Sequence, residues 1–144
     1  MVSERMDEQG AVVASKTRSH TESNEQIAAM DWLRAQYPKI ALHTLHIGNE
    51  RKASYWAGYI MKQMGVLKGA SDLFMAWPCG GYHGLFIEVK SKIGKPTVEQ
   101  TAFLQRMKAV GYRAEICYGA DEVINTMKDY LSHQGMSSLS TPAS

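Results

Sequence analysis

The sequence predicts an α/β fold, a mixed central sheet flanked by helices, with elements in the order α-β-α-β-β-α-β-α. Three observations predict it. Stretches with helical spacing of apolar residues alternate with short, β-branched apolar runs. Two of those runs, Asp72 to Trp77 and Leu85 to Lys90, flank the turn-forming Pro78-Cys79-Gly80-Gly81, which predicts an antiparallel hairpin. A helical pattern, Thr97 to Val110, lies between two strand patterns, which predicts a right-handed parallel crossover. One antiparallel and one parallel pairing make the sheet mixed, with helices on both faces.

Taken in order, residues 1–20 read as a flexible arm without hydrophobic periodicity. Thr21 to Tyr37 has helical spacing and stops at Pro38. Ile40 to Ile47 reads as the first strand. Asn49 is a candidate cap for a helix running to about Met64, with Gly65 as its stop. The hairpin follows, then a loop from Lys92 to Pro96 and the helix that Gly111 ends. Arg113 to Tyr118 is the last strand and Asp121 to Leu131 the last helix. Residues 133–144, rich in Ser and Thr from Gly135 on, read as a second flexible tail, which leaves 21–132 as one domain.

Composition narrows the class. Apolar residues make up 44% of the 144, enough for a core, and 21% are charged. The net charge of +2 is no polyanion signature in itself, so any basic footprint must come from clustering. Cys79 and Cys117 are far apart, with no CxxC partner or paired His spacing, which argues for buried free thiols and against zinc. The N-terminus lacks the apolar core of a signal peptide and no run is long enough to span a membrane, so a cytoplasmic (or host-cell-interior) protein is expected.

The chemistry begins at Leu85-Phe86-Ile87-Glu88-Val89-Lys90. Side chains alternate along a strand, so Leu85, Ile87 and Val89 share one face and Phe86, Glu88 and Lys90 the other. Apolar residues on both faces predict a central strand, where charges are costly. Alone, Glu88 and Lys90 also fit an ordinary cross-strand ion pair. Asp72 shifts the balance, because the hairpin can bring it beside Glu88. Two converging carboxylates are an oxygen site for Mg²⁺ or Mn²⁺, and a neighbouring lysine can orient water or stabilise charge developing at phosphorus. That is the set phosphodiester hydrolysis needs.

The helices offer two more polar groups. Gln100 falls on the core stripe with Phe103, Leu104 and Met107, yet Thr97-Val98-Glu99-Gln100 also matches a capping box, and both readings stand. Glu22 lies within roughly 50° of the stripe made by Met30, Leu33 and Tyr37, and Glu25 roughly 110° away, so Glu22 is the acid expected to face the sheet. Asn49, Arg51, Lys52, Lys68, Lys92 and Lys95, interspersed with glycines, are candidate contacts to a phosphate backbone. His43 and His46, three apart, do not share a strand face, and His83 at the hairpin end is a weak proton-transfer candidate. Trp32, Trp56 and Trp77 read as core or interface, not as a base-stacking ladder.

These pieces are co-linear with a known pattern. Lys68-Gly69-Ala70-Ser71-Asp72-Leu73-Phe74, then Gly80-Gly81-Tyr82-His83-Gly84 leading into Leu85–Lys90, then Gly94-Lys95-Pro96-Thr97 and Gln100 resemble the VRR-NUC family of the PD-(D/E)xK nuclease superfamily. Glu22, Gln26 and Trp32-Leu33 resemble its first helix, Gly48-Asn49-Glu50-Arg51 its Asn-containing loop, and Gly111-Tyr112-Arg113 the approach to its last strand. The resemblance runs from Thr21 to Leu131. Ser71 stands where the family has Pro, and Glu50 where the pattern has Gly.

The resemblance implies a restriction-endonuclease-like fold and a metal-dependent DNA endonuclease, often phage-borne as a stand-alone domain. Asp72 and Glu88 would then be metal ligands for Mg²⁺ or Mn²⁺, with the Val89 carbonyl completing the set. Lys90 would be the catalytic lysine, Gln100 a helix-borne active-site residue, and Glu22 the acid of the first helix. It also implies a homodimer acting on branched DNA, such as a Holliday junction or flap. The alternative is a non-catalytic DNA-binding subunit of a larger nuclease assembly.

Overall fold

A computed structural model of the chain describes residues 21–48 and 54–134. Helix α1 covers residues 21–36 of the described chain. It is followed by α2 (Pro38–Ala41), β1 (Thr44–His46), α3 (Tyr55–Gln63), β2 (Leu73–Met75), β3 (Leu85–Lys90), α4 (Val98–Ala109), β4 (Arg113–Tyr118) and α5 (Ala120–Leu131). The strands form one sheet in the order β1-β2-β3-β4. β1–β2 and β2–β3 are antiparallel and β3–β4 is parallel, so the sheet is mixed, with α4 as the predicted crossover.

The strand expected from Ile40 is corrected. Pro38 does break α1, but it also starts α2 at the first helical position, where its fixed φ fits and its missing N–H costs nothing. The residue before a proline is pushed out of the helical region, and Tyr37 accordingly sits at φ −139°. Strand pairing therefore begins only at Thr44. The cap expected at Asn49 lies outside the described residues. α3 is capped instead by Ser54, whose Oγ accepts the Ala57 N–H at 3.1 Å. Trp77 lies beyond β2, while the turn after it closes as foreseen. Cys79 and Tyr82 exchange backbone hydrogen bonds across Gly80 and Gly81, whose φ values of +61° and +88° are those of a tight hairpin turn.

Helices cover both faces of the sheet. Leu73, Met75, Leu85, Ile87, Val89 and Cys117 pack against α1, α2 and α5 through Ala29, Leu33, Ile40, Val123, Met127 and Tyr130. On the opposite face Phe86 and Ala114 pack against Phe103 and Leu104 of α4. All six residues of β3 are buried, as expected of a central strand. Its four apolar side chains, each contributing about 1.5–3 kcal/mol on burial, let the strand carry Glu88 and Lys90 inside the fold. Cys79 and Cys117 are buried and free. The start of the expected C-terminal tail is held down: Gln134 accepts the Trp77 indole N–H at 3.3 Å.

Candidate active site

The register of the hairpin determines which groups meet. Leu73 lies opposite Ile87 and Phe74 opposite Phe86, so Asp72, one residue before β2, falls opposite Glu88 on the α4 side. The rings of Phe74 and Phe86 stack at 4.3 Å, with Phe103 and Tyr112 edge-on to Phe86. This aromatic floor gives way at one end to the two carboxyls. The site therefore lies where apolar packing on the α4 face stops.

Asp72 Oδ2 accepts the Val89 backbone N–H at 2.7 Å. A strand residue directs its N–H and C=O to the same side, so the Val89 carbonyl also faces the Asp72 side. Glu88 Oε2 accepts from Gln100 Nε2 at 2.8 Å and lies 3.7 Å from Lys90 Nζ. Glu88 is only 3% exposed and Lys90 only 8%. Burial, reinforced by the charge of Asp72, pushes the Glu88 carboxyl up to about 8, against the opposing pull of Lys90. Burial also raises Asp72, although the Val89 N–H and Glu88 favour its ionised form. The pair thus retains a proton at neutral pH.

Both readings of Gln100 hold together. Its Oε1 accepts the Thr97 N–H at 2.9 Å and Thr97 Oγ1 accepts the Gln100 N–H at 3.1 Å, a full capping box. The amide N–H₂ remains available for Glu88. Glu22 reaches the same end of β3: its Oε2 lies 3.4 Å from the Ser91 N–H. A Cβ placed on Gly94 would sit 3.2 Å from Ser91 Oγ, 3.3 Å from Glu22 Oε2 and 3.4 Å from Lys90 Cδ, so these groups surround one small gap. Glu25 turns inward as well, contrary to the helical-wheel expectation. Its Oε1 accepts the Ala120 N–H at 2.6 Å at the start of α5, whose N-cap Gly119 has no side chain to offer.

The expected phosphate contacts divide. Asn49, Arg51 and Lys52 lie outside the described residues. Lys68 is exposed, 3.8 Å from Glu99 beside Gln100. Lys92 lies near Gly119, and both it and Lys95 are exposed. His83 stacks over Gly111 at the opposite end of β3, away from the carboxyls. His46 is the residue the sequence did not single out. Its Nδ1 lies 3.0 Å from the Asp72 carbonyl and 3.1 Å from Gln26 Nε2. Only the β1–β2 register, His46 opposite Leu73, reveals it.

The donor set suits a hard divalent cation. Glu88 Oε1 is buried with no hydrogen-bond donor directed at it. Among the described residues no group of three or more His, Cys, Asp or Glu side chains is placed to hold a metal ion. The oxygens that could do so at this end of β3 are the Asp72 and Glu88 carboxyls and the Val89 carbonyl. Oxygen-only sets of this kind fit Mg²⁺ or Mn²⁺ better than zinc.

A family model described as the VRR-NUC domain matches residues 12–121. The chain belongs to the VRR-NUC domain family. The match begins inside the arm expected at 1–20 and ends at residue 121, before Leu131, where the resemblance read from the sequence stops. A solved structure described as a VRR_NUC domain protein is similar to this chain at 28% identity and a TM-score of 0.70, covering 78% of this chain and 89% of the other. No curated protein matches it. As a VRR-NUC domain, the chain is a nuclease domain whose implied substrate is DNA. No helix of the described residues is long and apolar enough to cross a membrane.

Proposed function

We propose that this VRR-NUC domain is a metal-dependent DNA endonuclease with Asp72, Glu88, Val89 and Lys90 at its centre. One observation carries the reading: the Asp72 and Glu88 carboxyls meet at the end of a fully buried strand, with the Lys90 ammonium 3.7 Å from Glu88. Mg²⁺ or Mn²⁺ held by Asp72, Glu88 and the Val89 carbonyl would supply a water acidified for attack at neutral pH and neutralise phosphate charge.

The chain's own groups do the positioning. Val89 N–H fixes the Asp72 carboxylate, and Gln100 fixes Glu88. Lys90 brings a positive charge to where charge grows on the phosphate oxygens, in a setting with little water to screen it. Glu22 sets a negative charge beside the Lys90 arm. Arg51, Lys52, Lys68, Lys92, Lys95 and Asn49 are proposed phosphate contacts. With a net charge of only +2, a continuous basic groove is best made by two copies, which supports a homodimer on branched DNA.

The test is cleavage of labelled duplex, single strand, flap and four-way junction with Mg²⁺, Mn²⁺ or EDTA, beside Asp72→Ala, Glu88→Ala and Lys90→Ala. Metal-dependent cutting that each substitution abolishes, with DNA binding largely retained, is the expected result. Binding without cutting of any substrate would replace this reading with the non-catalytic DNA-binding subunit. Sedimentation at micromolar concentration tests the dimer.

A further inference from the structure

Helix α3 has no part in the chemistry above, yet it is the most exposed apolar element among the described residues. No side chain from Ser54 to Lys68 is buried. Tyr55 is 90% exposed, Trp56 66% and Tyr59 47%. One turn apart, Trp56 and Tyr59 hold their rings 5.6 Å apart and 25° from parallel. A nine-residue helix is marginal on its own, and a contiguous exposed aromatic patch marks a binding surface.

The segment carrying α3 is rooted at the catalytic end on both sides. On the way out, the Ile47 N–H bonds the Asp72 carbonyl at 2.8 Å. On the way back, Gly69, at φ +90°, presses on the first turn of α4. A Cβ there would lie 2.6 Å from the Glu99 carbonyl carbon, so only glycine allows this approach. The residue after Glu99 is Gln100, which holds Glu88. Charge is concentrated here too. Among the described residues from Ser54 to Ser71 the charged side chains are Lys62 and Lys68, both exposed, with no acid between them.

We infer that α3 is a stacking platform for unpaired nucleobases of the DNA next to the scissile phosphate. Flat aromatic faces take any base, and Lys62 and Lys68 meet the flanking phosphates. Paired bases have their faces covered by their neighbours, so the platform favours substrates with unpaired nucleotides near the cut. A second copy fits this face poorly, because a two-fold interface would set its cations against themselves. The inference rests on the DNA nuclease reading and narrows its substrate.

The test compares affinities for a labelled oligothymidylate and a duplex of equal length, by anisotropy in EDTA. In the Trp56→Ala/Tyr59→Ala double variant, preference for the single strand over the duplex is expected to fall by at least about tenfold. Trp56→Phe keeps a ring and retains most of that preference. Its loss of the fluorescence quenching that oligothymidylate causes in the unsubstituted protein places the bases at Trp56. Both rings are exposed, and circular dichroism checks that the variants fold. Equal losses on both DNAs, or none, would overturn the platform. So would a smaller sedimenting species in the double variant, which would assign α3 to contact between copies. If the unsubstituted protein neither binds nor cuts any DNA, the nuclease reading itself falls, an outcome distinct from a double variant that binds and cuts undiminished.

Discussion

Gln100 ties helix α4 to Glu88: Nε2 donates to Glu88 Oε2 at 2.8 Å while Oε1 accepts the Thr97 N–H at 2.9 Å. The two roles can be separated. Gln100→Glu keeps an acceptor for Thr97 but replaces the donor at Glu88 with a second carboxylate. That raises the already raised Glu88 carboxyl further, so the pH–cleavage profile is expected to move to higher pH with melting little changed. Gln100→Ala also loses the reciprocal half of the capping box, the Oε1 bond to the Thr97 N–H, at about 1 kcal/mol of stability, while Thr97 Oγ1 still accepts the N–H of residue 100. A Gln100→Glu profile that overlays the original would remove Gln100 from the site.

The raised Glu88 carboxyl also makes stability depend on pH. Between its usual value, 4.5, and about 8, the folded protein holds a proton that the unfolded chain has released. Stability therefore falls as pH rises through that window. Thermal melts of the metal-free protein are expected to decline from pH 5 to 8, with a shallower decline in Glu88→Gln, which cannot titrate there. Mg²⁺ or Mn²⁺ competes with the same proton, so its stabilising effect should grow with pH and be lost in Glu88→Gln. A metal-free melting profile equally steep in both proteins would show that Glu88 ionises normally.

The sequence made much of this legible, for reasons specific to each element. β3 could be read because its apolar residues occupy both faces, so Glu88 and Lys90 stood out as charges where charge is costly. The hairpin could be read from Gly80-Gly81, which can bring Asp72 near Glu88. The strand register that sets the two opposite is one residue out of step with the Cys79–Tyr82 turn pair and had to be seen in the structure. Pro38 misled, because the same residue that ends α1 starts α2, and nothing local separates those roles. His46 was hidden because its place beside Asp72 depends on strand register rather than spacing. Trp56 was read as core or interface by residue type. Its exposure follows from where the chain carries α3, which composition does not encode.

Glu22 and Glu25, one turn apart on α1, are expected to fail differently. Glu25 caps α5 across the fold through a 2.6 Å bond to Ala120 N–H, replacing the cap that Gly119 cannot provide. Glu25→Ala should cost about 1 kcal/mol in urea unfolding, the usual worth of an N-cap, and leave cleavage per folded molecule intact. Glu22 bonds the Ser91 N–H only at 3.4 Å, too long to matter much to stability. Its charge instead lies beside the Lys90 arm and Glu88, where electrostatics bear on the reacting phosphate. Glu22→Gln should therefore reduce cutting by about tenfold, the scale of about 1.4 kcal/mol on the barrier, with unfolding within about 0.5 kcal/mol of the original. The contrast comes from side-chain direction alone: each acid projects from the same helix toward a different strand end, Glu22 to β3 and Glu25 to β4. Paired unfolding and cleavage measurements on the two variants decide it, and a crossed result would exchange the two assignments.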